Sequence, residues 1–191
     1  MIKKLKDIRL YGLIFTIASA LFIIGFSAPF FSEARLQPYL YDSGIDSLGA
    51  LICAALYFGC MAQKGEGIRA FRILILLVSA CFVVNEIICY TVLVPDSRTL
   101  CFIFCLLSKL IDLVMIYCFY QYVRRTLGFE GKLAEWMERS IPYLLALESL
   151  VILSNIFYPT TFLIDAAGMD QATGASALED IYLIAVSLVT T

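Results

Sequence analysis

Four ionisable side chains lie inside otherwise apolar stretches of this sequence: Glu86, Lys109, Asp112 and Glu148. A charge near the centre of a lipid-spanning helix costs on the order of 2.5–3.5 kcal/mol, so such residues turn toward one another or toward a polar cavity. At the helical rise, Glu86 lies about 20 Å beyond the start of its apolar run at Ile73, and Lys109 about 21 Å before the end of its own at Val123. Equal depth and opposite sign predict a Glu86–Lys109 pair. Asp112 follows Lys109 by three residues, on the same helix face, and would supplement it. Asn85, Ser108 and Asn155 are candidate hydrogen-bonding neighbours. Glu148, about 10 Å deep, joins only if its helix tilts or shifts. Two roles are open to such a cluster: polar contacts that fix helix register, or a site that responds to a ligand, a proton or an ion.

Catalytic chemistry finds little support. Histidine is absent, which removes the usual general base and the commonest metal ligand. No Gly-x-Ser-x-Gly occurs, and Gly65-Glu66-Gly67 lacks the Lys-Ser/Thr that completes a phosphate loop. The expectation is a non-enzyme with no catalytic residue, metal or cofactor. The seven cysteines (Cys53, Cys60, Cys81, Cys89, Cys101, Cys105, Cys118) all fall in apolar runs without Cys-x-x-Cys spacing, and read as packing residues.

The elements that must position these groups are long apolar runs. Leu10–Phe31 has no charge, and further runs cover about 45–62, Ile73–Val94, Leu100–Val123 and Ile141–Tyr158. A hydrocarbon core roughly 30 Å thick needs about 20 apolar residues per helix. A chain in lipid must satisfy its own backbone groups, which for runs this long selects helices. The hydrophobic fraction of 61% and mean hydropathy of +0.89 agree. The predicted fold is all-α: a polytopic transmembrane helix bundle forming a single membrane domain over 1–191. It would have five complete spans and a partial sixth, Ile181–Thr191. That last run covers only about 16 Å. It is either a half-inserted helix or, the preferred expectation, the start of a span in a longer protein.

Charge sets the expected orientation. Of 14 bases, 11 fall at the N-terminus, around 63–72 and in 124–139. Only Arg35 and Arg98 lie in the alternate connections, and Lys109 lies within a span. Positive residues stay inside, so the N-terminus is expected in the cytoplasm, with 32–43, 95–98 and 159–180 outside. A cleaved signal peptide is the alternative for the N-terminus, disfavoured by the length of the run. Tyr120, Tyr122, Trp136 and Tyr143 are expected in an inner aromatic belt, and Phe30, Phe31, Tyr90 and Tyr158 in an outer one. Pro142 is expected in the first turn of the fifth helix. Leu133, Trp136 and Met137 suit either a short surface helix or an extension of the fifth. Expected partners are the lipid bilayer and, as an option, a second copy of the chain. The net charge of −2 and the lack of a basic stripe exclude a nucleic-acid partner.

From Asn155 the sequence reads Asn-Ile-Phe-Tyr-Pro-Thr-Thr-Phe-Leu-Ile-Asp-Ala-Ala-Gly, and Ile181-Tyr182-Leu183-Ile184 opens the next run. This resembles the last outer loop of the six- or seven-helix bacterial membrane input domains that precede GGDEF diguanylate cyclase or histidine kinase domains. Asn155, Phe157, Phe162, Ile164, Asp165, Gly168 and Tyr182 occupy the matching positions. The sequence departs from the pattern at Met169–Gly174, where the family carries a Tyr and an Arg-Gly pair. The resemblance implies the sensory half of a signal-transduction protein whose output domain lies elsewhere. One alternative is the substrate-binding subunit of a vitamin transporter, against which Phe22, four residues after Ala18, counts by obstructing a small-residue face. The other is a purely structural membrane protein.

Overall fold

The computed structural model describes residues 2–32, 37–91, 94, 97–128, 131–164 and 170–172. Among the described residues five helices follow one another: α1 (Ile2–Ser32), α2 (Gln37–Cys60), α3 (Glu66–Thr91), α4 (Arg98–Leu127) and α5 (Lys132–Ser154). A small hairpin then pairs β1 (Phe162–Ile164) with β2 (Asp170–Ala172), antiparallel, with Leu163 opposite Gln171. The chain divides into two compact units, Met1–Tyr90 and Thr91–Thr191.

In the first unit, α1 and α2 meet along small and polar residues. Gly12, Thr16, Ser19, Ala20, Ile23 and Ser27 form the buried face of α1, whereas Ile8, Tyr11, Ile14, Leu21 and Ile24 are exposed. The facing stripe of α2 is Ser43, Asp46, Ala50, Cys53, Tyr57 and Cys60, with Tyr41, Ile45, Leu48 and Leu56 outward. Large apolar groups outside and small ones inside is the reverse of a water-soluble protein. It suits lipid, where tight backbone approach rather than apolar burial drives helix association. The α1 hydroxyls cost nothing here because each bonds its own helix: Thr16 to the Leu13 carbonyl (3.0 Å), Ser19 to Phe15 (2.9 Å), Ser27 to Ile24 (2.8 Å). Gly12 receives the phenol end of Tyr57, and Gly49 the ring of Phe82 from α3; a Cβ at either would overlap those rings. Phe82 and Val83 close the cluster of Ala20, Ile23 and Ala50, which joins α3 to the pair.

The start of α2 differs from the sequence expectation. The helix begins about two turns before residue 45. Pro38 fits its first turn, where a missing N–H is harmless. Ser43, expected in an outer connection, is therefore a fully buried helical residue.

In the second unit, Leu113, Ile116 and Ile152 join α4 to α5 at one level, and Tyr120, Met137 and Ile141 at another. Gly128 ends α4 in the left-handed conformation (φ 63°), returning its N–H to the Arg124 carbonyl, with Arg124 and Arg125 in the negative last turn. Residues 132–154 form one helix, so of the two readings the extension of the fifth helix holds, and Met137 packs in the core as part of α5. Two expectations change in this unit. Pro142 lies well inside α5, where it leaves the Glu138 carbonyl without its usual i+4 donor. Tyr120 is buried (2% exposed) and belongs to the core, while Trp136 and Tyr143 are exposed as a belt requires.

Four helical segments among the described residues are long and apolar enough to cross a membrane: Ile8–Ala28, Leu40–Cys60, Glu66–Thr91 and Arg98–Thr126. The protein is a helical membrane protein on that evidence. Helix α5 is not among the four: it ends at Ser154 rather than 158, and it carries Glu138, Arg139 and Glu148.

Candidate functional site

Two polar sites stand out, one in each unit. In the first, Ser43 on α2 donates a 2.9 Å hydrogen bond to Oε1 of Glu86 on α3, and both residues are fully buried. The second oxygen, Oε2, is buried without a hydrogen-bond partner among the described residues. Asp46, one turn along α2 from Ser43 and 7% exposed, lies within electrostatic range of Glu86 and of Asp42. The first unit thus gathers acidic oxygens and a hydroxyl at one level between two helices. Such a group can hold a positive charge or fix helix register through the Ser43 bond. Among the described residues no three His, Cys, Asp or Glu side chains converge as a metal set.

Ser43 and Asp46 are the residues that sequence reasoning missed. Starting the second span at about residue 45 left both at its lip. The signal was present in the three- and four-residue steps from Ser43 through Asp46, Ala50, Cys53, Tyr57 and Cys60, one stripe of one helix. Asn85 sits beside Glu86 on α3 and is half-buried. Lys109 and Asp112 sit one turn apart on α4, and Glu148 lies on α5; all three are half-buried in the second unit. Each of these four residues takes part in an interaction. Glu86 belongs to the first unit and its proposed partner Lys109 to the second.

The second site is built on Asn155, which follows the last residue of α5. Its Oδ1 accepts the backbone N–H groups of Thr160 (2.7 Å) and Thr161 (3.0 Å) and the Thr160 hydroxyl (3.2 Å), while Nδ2 donates to the Thr161 hydroxyl. One amide side chain thereby folds residues 155–161 back beneath the helix end. Ser154 contributes by bonding the Thr160 hydroxyl (2.9 Å) and the Val151 carbonyl (2.6 Å). Asn155 and Thr161 are buried, and the bonds between them pair polar groups that burial removes from water.

The turn delivers Phe162 to α4, where its ring packs against Phe102 at 5.4 Å between centroids. Between the turn, β1 and the first turns of α4 lies an open cleft of about 370 Å³. Phe102, Phe157, Tyr158 and Phe162 supply aromatic walls, Asn155 lies in the lining, and Arg98 and Thr99 come from the start of α4. Of the loop residues singled out in the sequence, Asn155 and Phe162 are buried and structural, Ile164 is half-buried, and Phe157 stands exposed at the rim. Asp165, Gly168 and Tyr182, like the run Ile181–Thr191, lie outside the described residues. Aromatic walls with one guanidinium suit a small organic molecule with a flat or apolar body and an acceptor or anionic end.

Comparison with family models, with curated proteins and with solved structures returns no match. The functional reading therefore rests on the two sites and on the sequence.

Proposed function

We propose that this chain is the membrane-embedded sensory module of a bacterial signal-transduction protein. In this reading it crosses the cytoplasmic membrane five times with its N-terminus inside, α5 being the fifth crossing, and Ile181–Thr191 begins a sixth. The turn over 155–161 and β1 then face outward and present the aromatic cleft to a signal molecule. The observation that carries the reading is the Asn155 staple. It spends four hydrogen bonds on shaping one turn, and that turn forms a wall of the cleft beside Arg98. The output activity, cyclisation of nucleotides or phosphorylation, belongs to a domain reached through the sixth helix. Extending the reading frame past Thr191 and assaying the full product tests this. A cyclase or kinase activity that changes in Arg98→Ala or Phe102→Ala supports the proposal. A full product with no output domain removes it.

A second reading has one observation in its favour. The sequence argued against a transporter subunit because Phe22 obstructs a small-residue face at Ala18. Helix α1 nevertheless carries such a face at Gly12, Thr16, Ser19, Ala20 and Ser27, and α2 occupies it. Copurification with an ATPase module, together with solute uptake by proteoliposomes, would favour that alternative.

A further inference from the structure

At the end of the first unit where α2 passes into α3, three arginines converge. Arg9 comes from α1, and Arg69 and Arg72 from the first two turns of α3. Arg9 Nη1 donates to the Met61 carbonyl (2.9 Å), tying α1 to the connection after α2. Arg72 is 8% exposed; its Nε makes a long bond to the Ile68 carbonyl (3.4 Å), and its Nη1 is buried with no acceptor among the described residues. The charged groups acting on Arg72 are Arg9 and Arg69, both of like sign, with the Tyr57 hydroxyl and the Cys60 thiol as its other neighbours. Among the described residues no carboxylate acts on Arg72. Guanidinium groups are thus gathered from two helices, and among the described residues the buried Arg72 has an unused N–H and no counter-charge.

We propose that this arginine cluster binds a phosphate-type oxyanion, supplied in the membrane by the headgroup of an anionic lipid. The chemistry fits on three counts. Guanidinium forks match the spacing of phosphate oxygens and hold them through paired N–H donors. Basic pockets between membrane helices at the cytoplasmic side are where anionic headgroups lodge. The cluster also lies toward one end of membrane-length helices, because Arg9 and Arg72 immediately precede the charge-free runs that start at Leu10 and Ile73. A bound headgroup would bridge α1 and α3 at the connection that Arg9 already pins, so lipid composition would act on the packing of the whole unit.

The test uses the purified full chain in neutral detergent. Its thermal unfolding is followed while phosphatidylglycerol, phosphatidylcholine or inorganic phosphate is added at matched phosphate concentration. Phosphatidylglycerol should raise the midpoint in a saturable way and phosphatidylcholine should not. A shift with inorganic phosphate alone assigns the same site to a soluble oxyanion. Arg72→Gln with Arg9→Gln should remove at least half of the shift. Should that variant fail to fold, Arg69→Gln, at an exposed position, should weaken the apparent affinity several-fold. Arg125→Gln with Lys132→Gln removes as much positive charge elsewhere and should leave the shift intact. Equal shifts with both lipids, or equal losses in the two double variants, would overturn the proposal.

Discussion

Replacing Asn155 by Ala removes the four bonds its side chain makes and leaves residues 155–161 held by Ser154, by the Thr160 hydroxyl on the Val151 carbonyl and by the local backbone. The cost can be worked from burial. The Thr161 N–H is buried and loses its acceptor outright, an orphaned donor worth about 1–3 kcal/mol. The Thr160 N–H is half-buried and can turn to water, so its bond contributes about 1 kcal/mol. Local opening of the turn should therefore become easier by about 2–4 kcal/mol, or about 30- to 700-fold in the opening equilibrium. Hydrogen exchange of the 155–164 peptide in nanodiscs reads that change, with the α1 and α2 peptides as internal controls. Asn155→Asp keeps Oδ1 and loses only the donor to Thr161, so it should exchange at a rate between wild type and Ala. Exchange in Asn155→Ala within about threefold of wild type would refute the staple. The same variant should weaken any ligand of the cleft, because Phe162 and Phe157 are positioned by this turn.

Further outcomes follow from the packing. Gly49→Ala drives a methyl into the Phe82 ring and should destabilise the first unit by about 1–3 kcal/mol in a detergent unfolding assay, with Phe82→Leu restoring part of the loss. Ser43→Ala strands both oxygens of a buried carboxylate and should cost about 1–3 kcal/mol, but much less in a Glu86→Gln background; additive losses would dissolve the pair. The same cycle run with Lys109→Met tests the cross-helix pair expected from sequence, which predicts that Lys109→Met alone destabilises more than the double change. Arg124 and Glu138 form an ion pair that is about a third to a half exposed, so Glu138→Gln should change unfolding by no more than about 1 kcal/mol; a larger loss would show the pair to be structural.

The apolar runs were legible because a span must be long, uncharged and internally hydrogen-bonded, and the five helices fall where those runs lie. Their ends were less legible. Pro38 reads as a breaker until its place in a first turn is known, and that ambiguity hid two turns of α2 with Ser43 in them. Pro142 reads as a helix start, yet α5 runs through it, because Met137 and Ile141 bury against Tyr120 and hold the helix together across the lost bond. Lining up depths along separate helices suggested Lys109 as the partner of Glu86 but could not suggest Ser43, since facing across α2 and α3 depends on helix rotation. Asn155 was visible as a motif residue; that it staples a turn was not, because its hydrogen-bond partners lie five and six residues on and depend on where α5 stops. The hairpin of β1 and β2 is too short for a period-two pattern to register.

The account stands on the cleft facing outward across a fifth span. Single cysteines at Tyr158, on the cleft, and at Gly128, between α4 and α5, measure this in a background without the seven native cysteines. In intact cells an impermeant maleimide should label Tyr158→Cys and spare Gly128→Cys, which should react only after permeabilisation. Labelling of both positions from the same side would mean that α5 does not cross, and the reverse pattern would place the cleft in the cytoplasm; either result contradicts the account.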